Sequence, residues 1–438
     1  VAQSIAAVLG AKSRHDGYLE GSGYIVSWCF GHLAELADAA VYNADDAKWT
    51  LAALPIIPTS FRFIVRSEKQ KQFDILRELM RREDVAEVVN ACDAGREGEL
   101  IFRYLYEYIG CATPFERLWI SSLTDTAIRE GLERLESGNK YDNLYYAAKA
   151  RSEADWLVGI NATQAITVAA GRGTYSLGRV QTPTLAMVCE RYWENKRFTP
   201  ETLWQAHFST AGETDDGVVK FSSCKKWKEK RPATEAYGTL KEQGRVRITK
   251  VERKESVQDT PLLYDLTTLQ KEANAKHGFS AEKTLSLAQK LYEAKLITYP
   301  RTGSRYIPED VFTEIPALLL TLKNNPAWSG RLALVGEPTR RSVDAAKVTD
   351  HHALLITGMK PKNLLPDEQT LYDMIVGRML EAFSEKCVKD VTTVVAECGG
   401  VEYTVKGATV RQAGWRGVYN EETEDTVLPE WTEGEELF

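Results

Sequence analysis

From Ala281 onward the apolar residues Leu285, Ala288, Leu291, Tyr292 and Leu296 recur at three- and four-residue steps, the spacing of one buried helical face. Ser280 supplies an N-cap and Glu282 an acidic first turn. Pro300 disfavours the αR conformation at Tyr299 and is expected to end the helical run. Tyr299 then sits at a bend between rigid elements, with Arg301 two residues on. A second amphipathic stretch, Glu368 to Phe383, sets Leu371, Met374, Ile375, Met379 and Leu380 on one side.

Near the start of the chain, Val1 to Leu9 reads as a helix and Gly23 to Cys29 alternates toward a strand. Val85 to Cys92 reads as a buried strand that delivers Asp93-Ala94-Gly95-Arg96-Glu97-Gly98-Glu99 onto a loop before a helix from Leu100 to Ile109. Thr124-Asp125-Thr126 starts another helix, and 147–190 reads as helix, loop, helix. Alternation in Trp204 to Ser209 and Val246 to Thr249 predicts β-rich structure over 201–256, which returns at Val391 to Val395 and Tyr403 to Val405. Thr214 to Asp216 and Glu255 to Thr260 read as turns or linkers. The basic run Lys225 to Arg231, with one tryptophan, reads as a solvated hairpin edge, with attraction for DNA second.

Composition sets the outer bounds. A chain of 438 residues exceeds what one core usually holds, so three or four domains or subdomains are expected. Hydrophobic residues make up 43% and charged ones 27%, a globular-enzyme balance, and there is neither an apolar run of about 18 residues to span a membrane nor a secretory signal. Seven cysteines, with no C-x-x-C pair, disfavour disulfides and a zinc ribbon and fit a reducing cytoplasm. The net charge of −7 opposes phosphate binding at face value. Residues 421–438, however, hold eight acidic residues and no basic one, which leaves 1–420 at +1. A nucleic-acid site must therefore be a local basic groove in a nearly neutral body.

Four stretches carry candidate chemistry. A phenol with a pKa of about 10 is a poor nucleophile unless a cation stabilises the phenolate; Arg301 and Arg305 suit that role and suit a phosphate equally well. The carboxylates of Asp93, Glu97 and Glu99 make sense around a cation, for which Mg²⁺ is the natural candidate, or as a solvated acidic loop. The turn at Ser176-Leu177-Gly178-Arg179-Val180-Gln181 presents backbone N–H groups at a helix N-terminus, either to a phosphate or as a plain cap. His351 and His352 point in different directions, so at most one faces Tyr299; a satisfied surface pair is the alternative. Gly171-Arg172-Gly173 lacks a third glycine, because Ser176 stands there, and no G-x-x-x-x-G-K-[ST] exists, which disfavours ATP chemistry.

The stretch Ile297-Thr298-Tyr299-Pro300-Arg301-Thr302 resembles the active-site signature of type IA DNA topoisomerases, in particular their bacterial topoisomerase III branch. Four further blocks follow the family order: Gly31-His32; Asp93 to Glu99, similar to the Toprim acidic loop Asp-x-Asp-Arg-Glu-Gly-Glu; Gly178-Arg179-Val180-Gln181-Thr182-Pro183; and Asp350-His351-His352-Ala353. Arg117 to Thr124 matches as well, as does Ala47-Lys48-Trp49 through Leu54 to Pro58, read as structural. Gly95 stands in place of the family's second aspartate, Gly303 in place of an aspartate after the tyrosine motif, and Ile356 in place of a proline.

The resemblance implies a multidomain α/β and α+β fold: a Rossmann-like Toprim domain with helical and β-rich gate domains in an incomplete toroid. Expected boundaries are 1–146 for Toprim, 147–190 for a helical DNA-binding segment, 191–258 with 362–438 for a discontinuous β-rich gate, and 259–361 for the tyrosine-bearing helical domain. Relative to the family, a first strand ending in Glu-Lys-Pro-Ser and a last helical segment are expected to be missing.

The implied activity is ATP-independent cleavage of one DNA strand through a 5′-phosphotyrosine at Tyr299, strand passage and religation. Arg301 would stabilise phosphate oxygens, His351 would assist proton movement, and Mg²⁺ would sit at Asp93 and Glu97. His32, Arg96, Arg151, Asp155, Ser176, Leu177, Gly178, Arg179, Val180 and Gln181 would contact single-stranded or negatively supercoiled DNA. Two alternatives are a catalytically impaired remnant that only binds single strands, and a tyrosine recombinase, which would retain a 3′ phosphate and leaves the acidic loop unexplained.

Overall fold

The computed structural model describes residues 1–42, 49–211, 218–419 and 425–438. Ala47, Lys48, the turn expected at 214–216 and the first acidic residues of the tail lie outside the described residues. The chain folds into two compact units: the first holds 1–197, 301–313 and 345–352, the second 198–300, 314–344 and 353–438. Tyr299 thus belongs to the second unit, while Arg301 and His351 belong to the first.

In the first unit a short strand, Val88–Asn90, runs parallel to Phe115–Arg117, which pairs antiparallel with Glu136–Ser137. Between the parallel strands lies the helix Arg96–Ile109, the right place for a crossover element. It starts four residues earlier than its apolar periodicity indicates, so Glu97 and Glu99 lie in its first turn rather than on a loop. Acidic residues are favoured there by the partial positive charge of the helix N-terminus. Gly110, at φ 69°, closes it in the left-handed conformation.

Its apolar face meets a 29-residue helix, Asp142–Ala170, which runs through the expected boundary at 146/147. Leu100 and Tyr104 pack there against Tyr145, Ala148 and Ala34. Gly171, at φ 70°, ends the long helix, and the chain turns through 176–180 into the helix Gln181–Lys196.

The second unit is built on a six-stranded antiparallel sheet in the order Glu436–Leu437, Val246–Gln258, Cys387–Cys398, Val401–Gln412, Val218–Ser223, His207–Ala211. Phe221, Ile248, Val394, Ala396 and Tyr403 fill its core. The basic run at 225–231 is not a hairpin edge. Trp227 is buried and bridges antiparallel to Trp204, and Lys230 begins a helix, Lys230–Gln243, whose Ala233, Ala236 and Leu240 are buried at helical spacing.

The tyrosine-bearing part of this unit packs the helices Leu266–His277, Ala281–Glu293 and Pro366–Phe383 together. Ser280 Oγ accepts from the Lys283 N–H at 3.1 Å, the expected cap. Pro300 does not end this helix. It stops at Glu293, and Lys295, at φ 60°, reverses the backbone so that the Leu296 N–H reaches the Leu291 carbonyl at 2.9 Å, the pattern of a left-handed terminator.

Candidate active site

Beneath the acidic loop of the first unit lies a buried charge cluster. Arg117, at the end of its strand, is fully buried. Its Nη1 donates to the carbonyls of Asn90, Cys92 and Leu118 at 2.9, 2.7 and 2.9 Å, and its Nη2 to that of Asp93 at 2.6 Å. The Glu99 carboxylate, also fully buried, lies 3.2 Å from Arg117 Nε and accepts from Arg103 Nε and Asn90 Nδ2, both at 2.9 Å. Arg103 continues to Asp142 at 2.6 Å. Burial draws the Arg117 guanidinium down from its usual pKa, and Glu99 opposes that shift. Such a cluster holds only when every charge is paired.

Glu99, grouped with Asp93 and Glu97 around a cation in the sequence, is thereby spent as a foundation, and the sequence gives no such role to Arg117. The four-residue step from Glu99 to Arg103 was the available signal.

Above this foundation the loop and the first turn of the helix present one carboxylate each, Asp93 and Glu97. The Asp93 side chain, 45% exposed, lies 3.5 Å from His351 Nε2, and the hydrogen bond from that imidazole holds Asp93 below the usual carboxylate range against its own desolvation. Glu97, 61% exposed, lies 3.5 Å from His32 Nε2. The two histidines singled out in the sequence thus each meet one of the two candidate metal ligands. Arg96 is exposed at the first position of the helix.

Gly95 is extended, at φ −167°, so its backbone does not demand glycine. A Cβ there would stand 2.5 Å from Asp350 Oδ1, so the Asp350 carboxylate fills the volume next to the position where the family carries an aspartate. The 345–352 segment is anchored by Thr302 Oγ1, which donates to the His351 carbonyl at 2.8 Å, and by Ser304 Oγ, which donates to that of Lys347 at 2.9 Å. Arg301 is exposed.

Two exposed carboxylates at one helix start fit Mg²⁺, which accepts one or two carboxylates and completes its shell with water and phosphate oxygens. Among the described residues no three His, Cys, Asp or Glu side chains gather into a closed site.

A separate cleft of about 550 Å³ in the same unit is lined by residues that include Trp49, Asp155, Thr163 and the turn Ser176 to Gln181. The turn offers fewer amides than its sequence promised. The Leu177 N–H is taken by Thr163 Oγ1 at 3.0 Å and the Gly178 N–H by Thr182 Oγ1 at 3.1 Å, while Gln181 Nε2 donates to Ser176 Oγ at 2.6 Å. Arg179 grips Asp155 through two nitrogens, Nη2 to Oδ2 at 3.1 Å, and Arg151 Nε lies 4.0 Å from the same carboxylate. The Asp155 pKa falls as a result, with the Arg179 hydrogen bond the chief cause. Val180 is exposed.

In the second unit, Tyr299 follows a short bridge of Ile297 to Ile356. Thr298 secures the same pairing, its N–H donating to the Leu355 carbonyl at 2.9 Å and its Oγ1 accepting from the Leu355 N–H at 3.0 Å. The Tyr299 ring, half-buried, stands edge-on to Tyr292 with centroids 5.3 Å apart.

Known proteins match this chain over its full length. A family model described as DNA topoisomerase matches residues 139–438, and one for the Toprim domain matches 1–123. DNA topoisomerase 3 of Bacillus subtilis (strain 168) is 39% identical over 455 residues, covering 100% of this chain and 62% of that protein. DNA topoisomerase 3 of Shouchella clausii (strain KSM-K16) is 39% identical over 449 residues, covering 99% and 61%. The chain therefore spans about three fifths of the length of these curated relatives. A crystal structure of full-length topoisomerase I from Thermotoga maritima superposes with a TM-score of 0.68 over 100% of this chain and 68% of that one, at 23% identity, a likeness of fold. The chain belongs to the type IA DNA topoisomerase family, in its topoisomerase III branch.

Proposed function

We propose that the chain carries out the chemistry of a type IA topoisomerase on single-stranded or negatively supercoiled DNA. One strand is cut through a 5′-phosphotyrosine at Tyr299, a second strand passes, and the cut is resealed. The observation that carries this reading is the approach of His351 to Asp93 at 3.5 Å, which brings two motif blocks from distant parts of the sequence onto one acidic loop.

In the first step the Tyr299 oxygen attacks phosphorus, the bond from phosphorus to the 3′ oxygen breaks, and the phenolic proton leaves as the 3′ hydroxyl gains one. Arg301 stabilises the non-bridging oxygens. His351 moves the proton; Asp93, lying at its Nε2, sets the tautomer and the ring orientation. His32, Arg96, Arg151, Asp155 and the 176–181 turn hold the strand. Asp93 and Glu97 would hold Mg²⁺, which supplies positive charge for the phosphate oxygens when bound. Cleavage exchanges one phosphoester for another, so the reverse step needs no ATP. A reducing cytoplasm is the compartment that fits this chemistry and the free cysteines.

The test offers the chain a single-stranded oligonucleotide, labelled at one end or the other, with Mg²⁺. A 3′-end label should stay with the protein and a 5′-end label should not, and Tyr299→Phe should form no adduct. Salt-sensitive binding without an adduct would instead identify a strand-binding remnant, and retention of the 5′-end label would identify recombinase-type chemistry.

A further inference from the structure

The reaction above leaves a buried group of charges in the second unit without a task. Arg378 and Glu381, on the helix Pro366–Phe383, are both buried. Arg378 Nε donates to Glu381 Oε2 at 2.9 Å, its Nη2 to Glu272 Oε1 at 2.5 Å and its Nη1 to the Leu262 carbonyl at 3.2 Å. Tyr264, also buried, donates its hydroxyl to the second oxygen of Glu272 at 2.7 Å, and the guanidinium carbon stands 4.2 Å from the centre of its ring. Apolar side chains of similar volume often stabilise a core as well. What charges add is direction.

The backbone directed in this way lies beside Tyr299. The Leu354 N–H donates to the Tyr264 carbonyl at 2.9 Å, and the Thr357 N–H to that of Leu296 at 3.1 Å, so 354–357 is paired on both sides. In an antiparallel pair the next rung beyond Tyr264 and Leu354 runs from the Ile356 N–H to the Leu262 carbonyl. There the helix intervenes with two consecutive residues: the Leu262 carbonyl accepts from Arg378, and the Ile356 N–H donates instead to Met379 Sδ at 3.3 Å. A buried amide needs an acceptor and a thioether is a weak one. The place of 354–357 therefore depends on where the helix holds that sulfur.

We propose that Arg378, Met379 and Tyr264 are positioning residues for Tyr299. They fix 354–357 against the helix, and 354–357 fixes Thr298 and with it the phenol one residue on. The inference rests on the proposed function, in which Tyr299 is the nucleophile. A displacement of about 1 Å at a reacting atom can cost about 100-fold in rate; a shift passed on through hydrogen-bonded neighbours costs less.

Arg378→Met leaves Glu272 and Glu381 without their cation and risks unfolding, so the test uses Tyr264→Phe and Met379→Leu, which keep the volume of the side chain. Adduct formation by the full chain on a 3′-end-labelled single strand, with Mg²⁺, is followed over time from low to saturating strand. The rate at saturation should fall about three- to tenfold in each variant, while the half-saturating strand concentration stays within about twofold of wild type. Val394→Ala, in the sheet core of the same unit, is the control: it should lower the melting temperature at least as much and leave the rate unchanged. A wild-type rate in either variant, or a matching loss in Val394→Ala, overturns the proposal. If the wild-type chain makes no adduct at all, the proposed function fails, and hydrogen exchange still decides whether the cluster holds the strand. The Leu354 and Ile356 amides should exchange at least about tenfold faster in both variants than in wild type, while those of the six-stranded sheet do not; unchanged protection overturns it.

Discussion

The acidic loop and the 176–181 turn lie in one unit and both serve DNA in the proposed function, yet they are built in opposite ways. Under the loop, Glu99, Arg103 and Arg117 are buried, and Arg117 alone holds four carbonyls. The turn has no such floor: Arg179 and Asp155 are paired in the open, and the helix Gln181–Lys196 that follows contains no buried residue. The difference suits what each would do under the proposed function. A site that times proton and phosphoryl movements needs its backbone fixed to fractions of an ångström, whereas a surface that holds a strand gains from charges that water can reach and the strand can rearrange.

The contrast is most severely tested at Arg117. Arg117→Met leaves the Glu99 charge buried beside Arg103 alone and should cost about 3–5 kcal/mol of stability, read by denaturant unfolding. A loss as small as that of a surface ion pair would show that the floor is not what holds the loop.

Next in size is His351→Gln, which removes the imidazole from Asp93 without disturbing the floor. Adduct formation should drop about 10- to 100-fold at nearly unchanged melting temperature and strand affinity. Equal losses of affinity and cleavage would make His351 a binding group instead.

Arg179→Ala acts on the other region. It should leave cleavage of saturating DNA and the melting temperature unchanged while weakening single-strand binding, and it should reduce the slope of log affinity against log salt by about 0.7. An unchanged slope would mean that Arg179 serves only to pin Asp155.

The smallest effect concerns acid stability. Asp93 has a lowered pKa in the folded chain, owing chiefly to His351, so its contribution is present above the ordinary carboxylate value and disappears as pH falls through the folded value. The difference in stability between wild type and His351→Gln should therefore be below about 1 kcal/mol, because Asp93 is nearly half exposed, and should vanish as pH falls through the lowered pKa of Asp93 in the folded chain. Melting curves across that fall in pH check the sign.

Motifs and strongly periodic helices were legible from residues alone: the cap at Ser280, the helix at 366–383 and the strands near 391 and 403 lie where their patterns put them. What escaped depends on contacts between distant residues or on single backbone angles. The end of the tyrosine-side helix is set by Lys295 in a left-handed conformation, which no hydrophobic period encodes. The helix Lys230–Gln243 was hidden because its charged first turn merged with a basic run, although Ala233, Ala236 and Leu240 carried its face. Glu99 and Glu97 look alike in a string of acidic residues; only the fold shows that one is sealed beneath the loop and the other open to water.

The narrow gap between Gly95 and Asp350 has a practical consequence. Any side chain placed at 95 meets the end of an exposed carboxylate carried by a segment some 250 residues away, so the Asp350 side chain must turn aside to admit it. A change at one of these two remote positions is therefore felt first at the other.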